Sequence, residues 1–168
     1  MPATRREKEE VKEKLSGILK SSPSVVFVNF HGLPVADTSA MRRWLDKEGV
    51  GYVVAKKTII RLALQDVKME GEIPELSGEL ALAYLKGEGK GDIIAPARGV
   101  YQFQKKLQEK VSILGGIFEG KFLGKSAMVE IASIPSLQTL RGMFVNVINS
   151  PIQGLVISLS QIAERKSA

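Results

Sequence analysis

Ser24-Val-Val-Phe-Val-Asn-Phe30 is seven residues of nearly unbroken β-branched and aromatic character, flanked on both sides by segments with helical spacing. A strand with one wet face alternates apolar and polar residues, whereas one that stays apolar is covered on both sides. This run is therefore expected to be a central strand. Upstream, Thr4 can cap a helix reaching about Ser21, with Val11, Leu15, Ile18 and Leu19 on one face and Arg5, Arg6, Lys8, Lys12 and Lys14 elsewhere. Downstream, His31-Gly-Leu-Pro34 is a turn. Asp37 to Glu48 reads as a second helix, capped by Asp37, Thr38 or Ser39 and stopped by Gly49, and Val50 to Ala55 as a second strand.

The alternation continues. Thr58 is expected to cap a third helix with Ile60, Leu64 and Val67 on one face, and Glu70 to Gly78 is a Gly/Pro-punctuated acidic loop. Leu80 to Leu85 is a third strand, Gly87 to Gly91 a loop, and the stretch to about Glu109 holds a helix with Val100, Phe103 and Leu107. Val111 to Phe118 is a strand that bends or bulges at Gly115-Gly116. The pattern predicts an α/β (α+β) domain over residues 1–134, a mixed sheet flanked by helices.

From Pro135 the character changes, and residues 135–168 are expected to be a separate C-terminal helical segment. Between Leu137 and Ala163 only Arg141 is charged, while Leu140, Phe144, Val147, Ile148, Ile152, Leu155, Val156, Leu159 and Ile162 recur at spacings of three and four. Leu140-Arg-Gly-Met-Phe-Val-Asn-Val aligns with Ile152-Gln-Gly-Leu-Val-Ile-Ser-Leu twelve residues later, with Pro151 between them, as two copies of one binding segment would. A helix of roughly 28 residues, about 42 Å, is longer than the small domain can cover, so part of the stripe needs another chain. The uncharged stretch Gly142 to Ala163 is also long enough to span a membrane. Asn146, Asn149, Ser150, Gln153, Ser158, Ser160 and Gln161 make it too polar for an ordinary span, and no membrane partner is expected.

Charge is as unevenly placed as apolarity. The 168 residues carry 24 Lys+Arg against 18 Asp+Glu, a net charge of +6. Met1 to Lys68 holds +5 of it (13 against 8), Met69 to Ile134 is −1 (8 against 9) and Pro135 to Ala168 is +2 (3 against 1). A local cationic excess suits a polyanion partner, although a modest one is also ordinary surface charge. The absence of cysteine excludes disulfide, thiolate and Cys-zinc chemistry, and the charged start lacks the apolar core of a secretory signal and is too acidic for a transit peptide, so a cytoplasmic protein is expected.

Catalytic chemistry finds no support. Gly115-Gly-Ile-Phe-Glu-Gly-Lys121-Phe122 matches a phosphate-binding loop up to its last position, where Phe122 cannot ligate magnesium as Ser or Thr would. A nucleotide-binding enzyme using this loop is the alternative reading, against a β-hairpin with glycine corners. His31, the single histidine, lacks an evident orienting partner and reads as a turn residue. No carboxylate pair stands out, and no cofactor or metal is expected. Trp44, among Met41 and Leu45, reads as core rather than a base-stacking platform. The basic candidates are Arg5, Lys8, Arg42, Arg43, Lys56, Lys57 and Arg61. Each taken alone is more simply a solvated cation, but at Lys56-Lys57-Thr58 a strand ends and a helix opens, so ammonium groups, a hydroxyl and free backbone N–H groups can meet phosphate.

In this order and spacing, Phe30-His-Gly-Leu-Pro-Val35, Met41-Arg-Arg-Trp-Leu45, Gly49-Val-Gly-Tyr-Val-Val-Ala-Lys56-Lys-Thr58 and Arg61-Leu-Ala-Leu64 resemble the bacterial large-subunit ribosomal protein L-ten family, the base of the ribosomal stalk. Gly115 to Lys121 and Ile134-Pro-Ser136 are similar to its later signposts. Lys57 stands where the family usually has Asn, exchanging an amide for an ammonium, and Glu79 where Pro is usual. The resemblance implies a structural, non-enzymatic protein of the cytoplasmic ribosome. Its N-terminal domain would bind large-subunit rRNA, here through Thr4, Arg5, Lys8, Gly32, Leu33, Arg42, Arg43, Lys56, Lys57, Thr58 and Arg61, next to the ribosomal protein L-eleven. Its C-terminal helix would carry dimers of the acidic stalk protein, two by the internal repeat, on Leu140, Phe144, Val147, Ile148, Ile152, Leu155, Val156, Leu159 and Ile162. Those dimers would in turn recruit translational GTPases.

Overall fold

The computed structural model describes residues 5–67, 71, 74–87, 92–107 and 110–167, with the backbone alone at 5–7 and 167. Six helices and five strands alternate: α1 (Arg5–Ser21), β1 (Ser24–Phe30), α2 (Val35–Lys47), β2 (Val50–Val54), α3 (Lys57–Asp66), β3 (Leu80–Leu85), α4 (Ala95–Lys106), β4 (Val111–Phe118), β5 (Lys121–Gly124), α5 (Lys125–Ser133) and α6 (Leu137–Ser167). The chain divides into two compact units, Met1–Ile134 and Pro135–Ala168.

In the first unit the strands lie in the order β2-β3-β1-β4-β5, so the apolar run Ser24–Phe30 is central, as its composition demands. Every pairing is antiparallel, which corrects the mixed sheet expected from the sequence. Helix–strand alternation usually signals adjacent parallel strands. Here α2 and α4 do link strands that run the same way, β1 to β2 and β3 to β4, but β3 lies between the first two and β1 between the second two, so no parallel pair forms. Both faces of the sheet are covered. Val26 and Val28 of β1 and Ala81 and Ala83 of β3 pack with Met41, Leu45, Val100 and Met128 of α2, α4 and α5. The alternate residues Val25, Phe27, Leu80 and Leu82 pack with Leu15, Leu19, Ile60 and Leu64 of α1 and α3.

β4 bulges, as expected near its glycines. Phe27 pairs with Gly115 and Val28 with Ile113, leaving Leu114 as an extra residue. The insertion switches parity, so Val111 and Ile113 serve one face of the sheet and Ile117 the other. Gly116 is needed for a different reason. A Cβ there would overlap the Val25 carbonyl oxygen and the Met128 methyl. The β4–β5 turn places Glu119 at φ 50° and Gly120 at φ 81°, the left-handed pair of a tight hairpin.

Several expected helix starts are corrected. α2 begins at Val35, before Asp37, Thr38 and Ser39, and none of them caps it; the Thr38 hydroxyl instead donates to the Pro34 carbonyl at 3.1 Å. α3 begins at Lys57, so Thr58 lies within its first turn and makes no cap bond. In both cases proline or an extended residue sets the entry geometry without a side-chain acceptor. The Thr4 cap and the Glu109 end expected for the fourth helix lie outside the described residues; β5 is the second strand of the hairpin weighed at Gly115 to Phe122, whereas α5 was not anticipated.

The second unit is one helix of 31 residues, about 46 Å long. Its start is a side-chain cap: the Ser136 Oγ accepts the Thr139 N–H at 3.3 Å. Pro151 lies inside it and supplies no N–H to the preceding turn.

Candidate functional site

The elements that shape the basic surface are set by the sheet. β2 ends at Val54, and the Ala55 N–H donates to the Leu80 carbonyl at 3.4 Å, which anchors the chain before it turns into α3. Lys56 remains extended while its carbonyl accepts the Ile59 and Ile60 N–H groups at 2.9 and 3.2 Å. The N–H groups of Lys57 and Thr58 therefore precede the first intrahelical bond and point out of the helix start. Lys56, Lys57 and Thr58 are exposed.

Two grooves meet there. One, of about 620 Å³, is lined by the side chains at the ends of β1, β2 and β3, including Phe30, Val54, Ala55 and Leu80, with Lys56, Lys57, Thr58 and Glu79 at its rim. The other, of about 400 Å³, is lined by Lys8, Glu9, Lys12, Lys56, Thr58, Ile59 and Leu62. Packing of α1 on α3 thus brings Lys8 to Lys56 and Thr58 across almost fifty residues of sequence. Lys8, Lys56, Lys57 and Arg61 have no carboxylate partner among the described residues, whereas Lys12 is held by Asp66 at 2.6 Å. Cations without a local partner are free to meet phosphate oxygens.

Arg42 and Arg43 are elsewhere. They line a separate groove of about 350 Å³ with Asp46, Tyr52, Tyr84 and Lys86 at the β2 edge. The Arg42 guanidinium lies 5.6 Å from the centre of the Tyr52 ring. Burial pushes the Tyr52 hydroxyl up to about 12, with Arg42 pulling the other way. Lys86 is bonded to the Asp46 carboxylate, which raises its pKa despite a small opposing effect of burial. Tyr52, Tyr84 and Lys86 went unnoticed in the sequence; packing of α2 on β2 sets Tyr52 against Arg42, and the pairing of β2 with β3 brings Tyr84 and Lys86 to them.

The remaining expected residues are dispersed. Gly32 is exposed at φ 59°, and Leu33 is half-buried against the α2/α4 core. Arg61 is exposed on α3. Thr4 and the Arg5 side chain lie outside the described residues. His31 sits in the turn after β1, with its backbone N–H donating to the Lys110 carbonyl at 2.9 Å. Trp44 meets Phe103 edge-on at 5.6 Å and packs in the core. Gly115 to Lys121 is not a loop: Gly115 to Phe118 pair with both β1 and β5, and the Glu119-Gly120 turn closes the hairpin. Its backbone N–H groups belong to the sheet and cannot cradle a phosphate.

On α6 the pattern is the reverse of the core's. Leu140, Phe144, Val147, Ile148, Ile152, Leu155, Val156, Leu159 and Ile162 are all exposed, and Phe144 is 68% exposed. Met143, Val145 and Ile157, which belong to the repeat but not to the stripe, extend the apolar surface. The two copies of the repeat are twelve residues apart, about 18 Å along the axis and about 120° around it, so each half of the helix presents its own face. By length and a mean hydropathy of 1.3 the helix could cross a membrane. Asn146, Asn149 and Gln153 would enter the hydrocarbon with it, which is costly.

The sequence model of the ribosomal protein L10 family matches residues 3–105. Among curated relatives, large ribosomal subunit protein uL10 of Bacillus licheniformis is 31% identical over 159 residues, covering 95% of this chain and 93% of its own. The proteins of the same name from Thermotoga petrophila and Rhodospirillum rubrum are 35% identical over 163 residues and 34% over 147. They cover 95% and 88% of this chain, and 89% and 82% of their own.

Proposed function

The chain belongs to the ribosomal protein L10 family, and on that premise we propose that it is a structural protein of the large ribosomal subunit, anchored to rRNA by residues 1–134 and carrying acidic stalk-protein dimers on residues 135–168. The observation that carries this reading is the separation of two surfaces. Cations with no carboxylate partner among the described residues gather at the start of α3, and exposed apolar side chains line α6. The cluster of Lys8, Lys56, Lys57 and Thr58 at the start of α3 serves as the main rRNA contact, with Gly32, Arg42, Arg43 and Arg61 as secondary ones, and phosphate neutralisation makes affinity fall with salt. Leu33 holds the turn that presents Gly32. The repeat on α6 takes two dimers, one on each side of Pro151, and these recruit translational GTPases indirectly. No catalytic step or cofactor is invoked, and the protein L-eleven is its neighbour on the rRNA.

Deletion of residues 135–168 tests the division. The truncated protein is expected to keep its affinity for a large-subunit rRNA transcript within about twofold and to lose binding of the acidic stalk protein. Loss of both activities together would refute it. Native mass spectrometry of the full chain with the stalk protein should show four acidic copies, and six would refute the two-dimer assignment.

A further inference from the structure

Resting on the rRNA reading above, we propose that the groove beside Lys56–Thr58 receives an unpaired nucleobase, so that the RNA is recognised where a nucleotide leaves its helix. Lys56 and Thr58 line both grooves and so form the ridge between them. The ridge and Lys57 offer ammonium and hydroxyl groups to a phosphodiester. The larger groove offers something a phosphate cannot use: Phe30, Val54, Ala55 and Leu80, contributed by the ends of three adjacent strands. Val54 is 45% exposed on an edge strand, an apolar wall open to solvent.

The two chemistries side by side match the two halves of one nucleotide. A continuous duplex keeps its bases stacked inside and presents phosphates and sugars, so it would satisfy the lysines and leave the apolar groove wet. An extruded base instead brings a flat π-face to Phe30 and an apolar rim to Val54 and Ala55, the mode by which proteins read unpaired RNA. At about 620 Å³ the groove lies within the roughly 300–1,000 Å³ of clefts that enclose small ligands. Glu79 fixes the direction of entry. Its carboxylate at the rim repels a phosphate and accepts hydrogen bonds from an exocyclic amino group, so the backbone runs over Lys56 and Lys57 and the base points toward Glu79.

Val54→Lys separates this mode from attraction by charge alone. The substitution adds a cation beside Lys56, so a purely electrostatic surface binds RNA equally well or more tightly. Base insertion predicts the opposite: affinity of the full-length protein for a large-subunit rRNA transcript at fixed salt should fall at least tenfold. Val54→Ser, which removes the wall without adding charge, should lower it about threefold, and circular dichroism melts establish that both variants fold. Unchanged or tighter binding by Val54→Lys overturns base insertion. The double substitution Lys56→Ala, Lys57→Ala is the control for the underlying reading, and it should lower affinity and reduce the salt slope by about two. If it changes neither, the RNA assignment of this surface fails with it; if it changes both while Val54→Lys binds like the parent, only base insertion fails.

Discussion

The two units of this chain handle apolar surface in opposite ways. In the first, Phe27, Leu82, Ile60 and Met128 are fully buried on the two faces of one sheet. In the second, Phe144, Val147 and Leu155 are each more than 60% exposed along a single helix. Sheet and helices satisfy one another within residues 1–134, whereas residues 137–167 form a single helix with exposed apolar side chains. Apolar content alone therefore does not identify a core. What matters is whether a second apolar surface covers the first, and the α6 side chains Phe144, Val147 and Leu155 are exposed.

The largest test of this contrast compares two phenylalanines. Phe27→Ala should cost about 3–5 kcal/mol in urea unfolding, because it opens a cavity in a closed layer. Phe144→Ala should change stability by less than about 0.5 kcal/mol, since its side chain is 68% exposed. Similar losses at both sites would break the comparison. Next in size, Phe144→Asp and Leu155→Asp should each weaken binding of the acidic stalk protein by about 1.5–3 kcal/mol in calorimetry while leaving rRNA affinity alone. A change in rRNA affinity would merge the two surfaces.

A smaller effect sharpens the contrast at the sheet edge. Tyr52 titrates near 12 in the folded protein against 10 unfolded, so between these values the unfolded chain releases a proton that the native state retains. Stability is thus fully present below pH 10 and falls as pH rises toward 12, by on the order of 1–2 kcal/mol after allowing for partial exposure of the ring. Tyr52→Phe should remove that part of the alkaline decline. The smallest change is expected at the Lys12–Asp66 pair joining α1 to α3, where half-exposed side chains meet at 2.6 Å. Asp66→Asn should cost about 0.2–1 kcal/mol and less in high salt, and a larger loss would mean that α1 is held by charge rather than by Leu15 and Leu19.

Much of the first unit was legible because its signals are local. Ser24–Phe30 and Leu80–Leu85 have the bounds their apolar runs suggest, and Gly115-Gly116 marks the bulge region. The starts of α2 and α3 were misplaced because Thr38 and Thr58 carry capping chemistry without occupying capping positions. α5 was missed because Met128 and Ala132 form only one short buried pair on nine residues, too little to establish a period. Lys56, Lys57 and Thr58 could be grouped from adjacency. Their meeting with Lys8 on one side and with Phe30 and Leu80 on the other depends on contacts remote in sequence.

The amino-acid order by itself determined where apolar and cationic residues fall: a doubly covered central strand, a basic first third and an almost uncharged helix with a repeated segment. Those properties arise from composition and from periods of two or 3.6 residues, which no tertiary contact alters. Only the tertiary structure decided the antiparallel order of the strands, the ridge that joins α1 to α3 and the apolar groove beside it. The order and the groove require β1 to lie beside β3 and β4, which are not its neighbours in the chain, and the ridge requires α1 to pack on α3; both are selected by the closure of the two layers together.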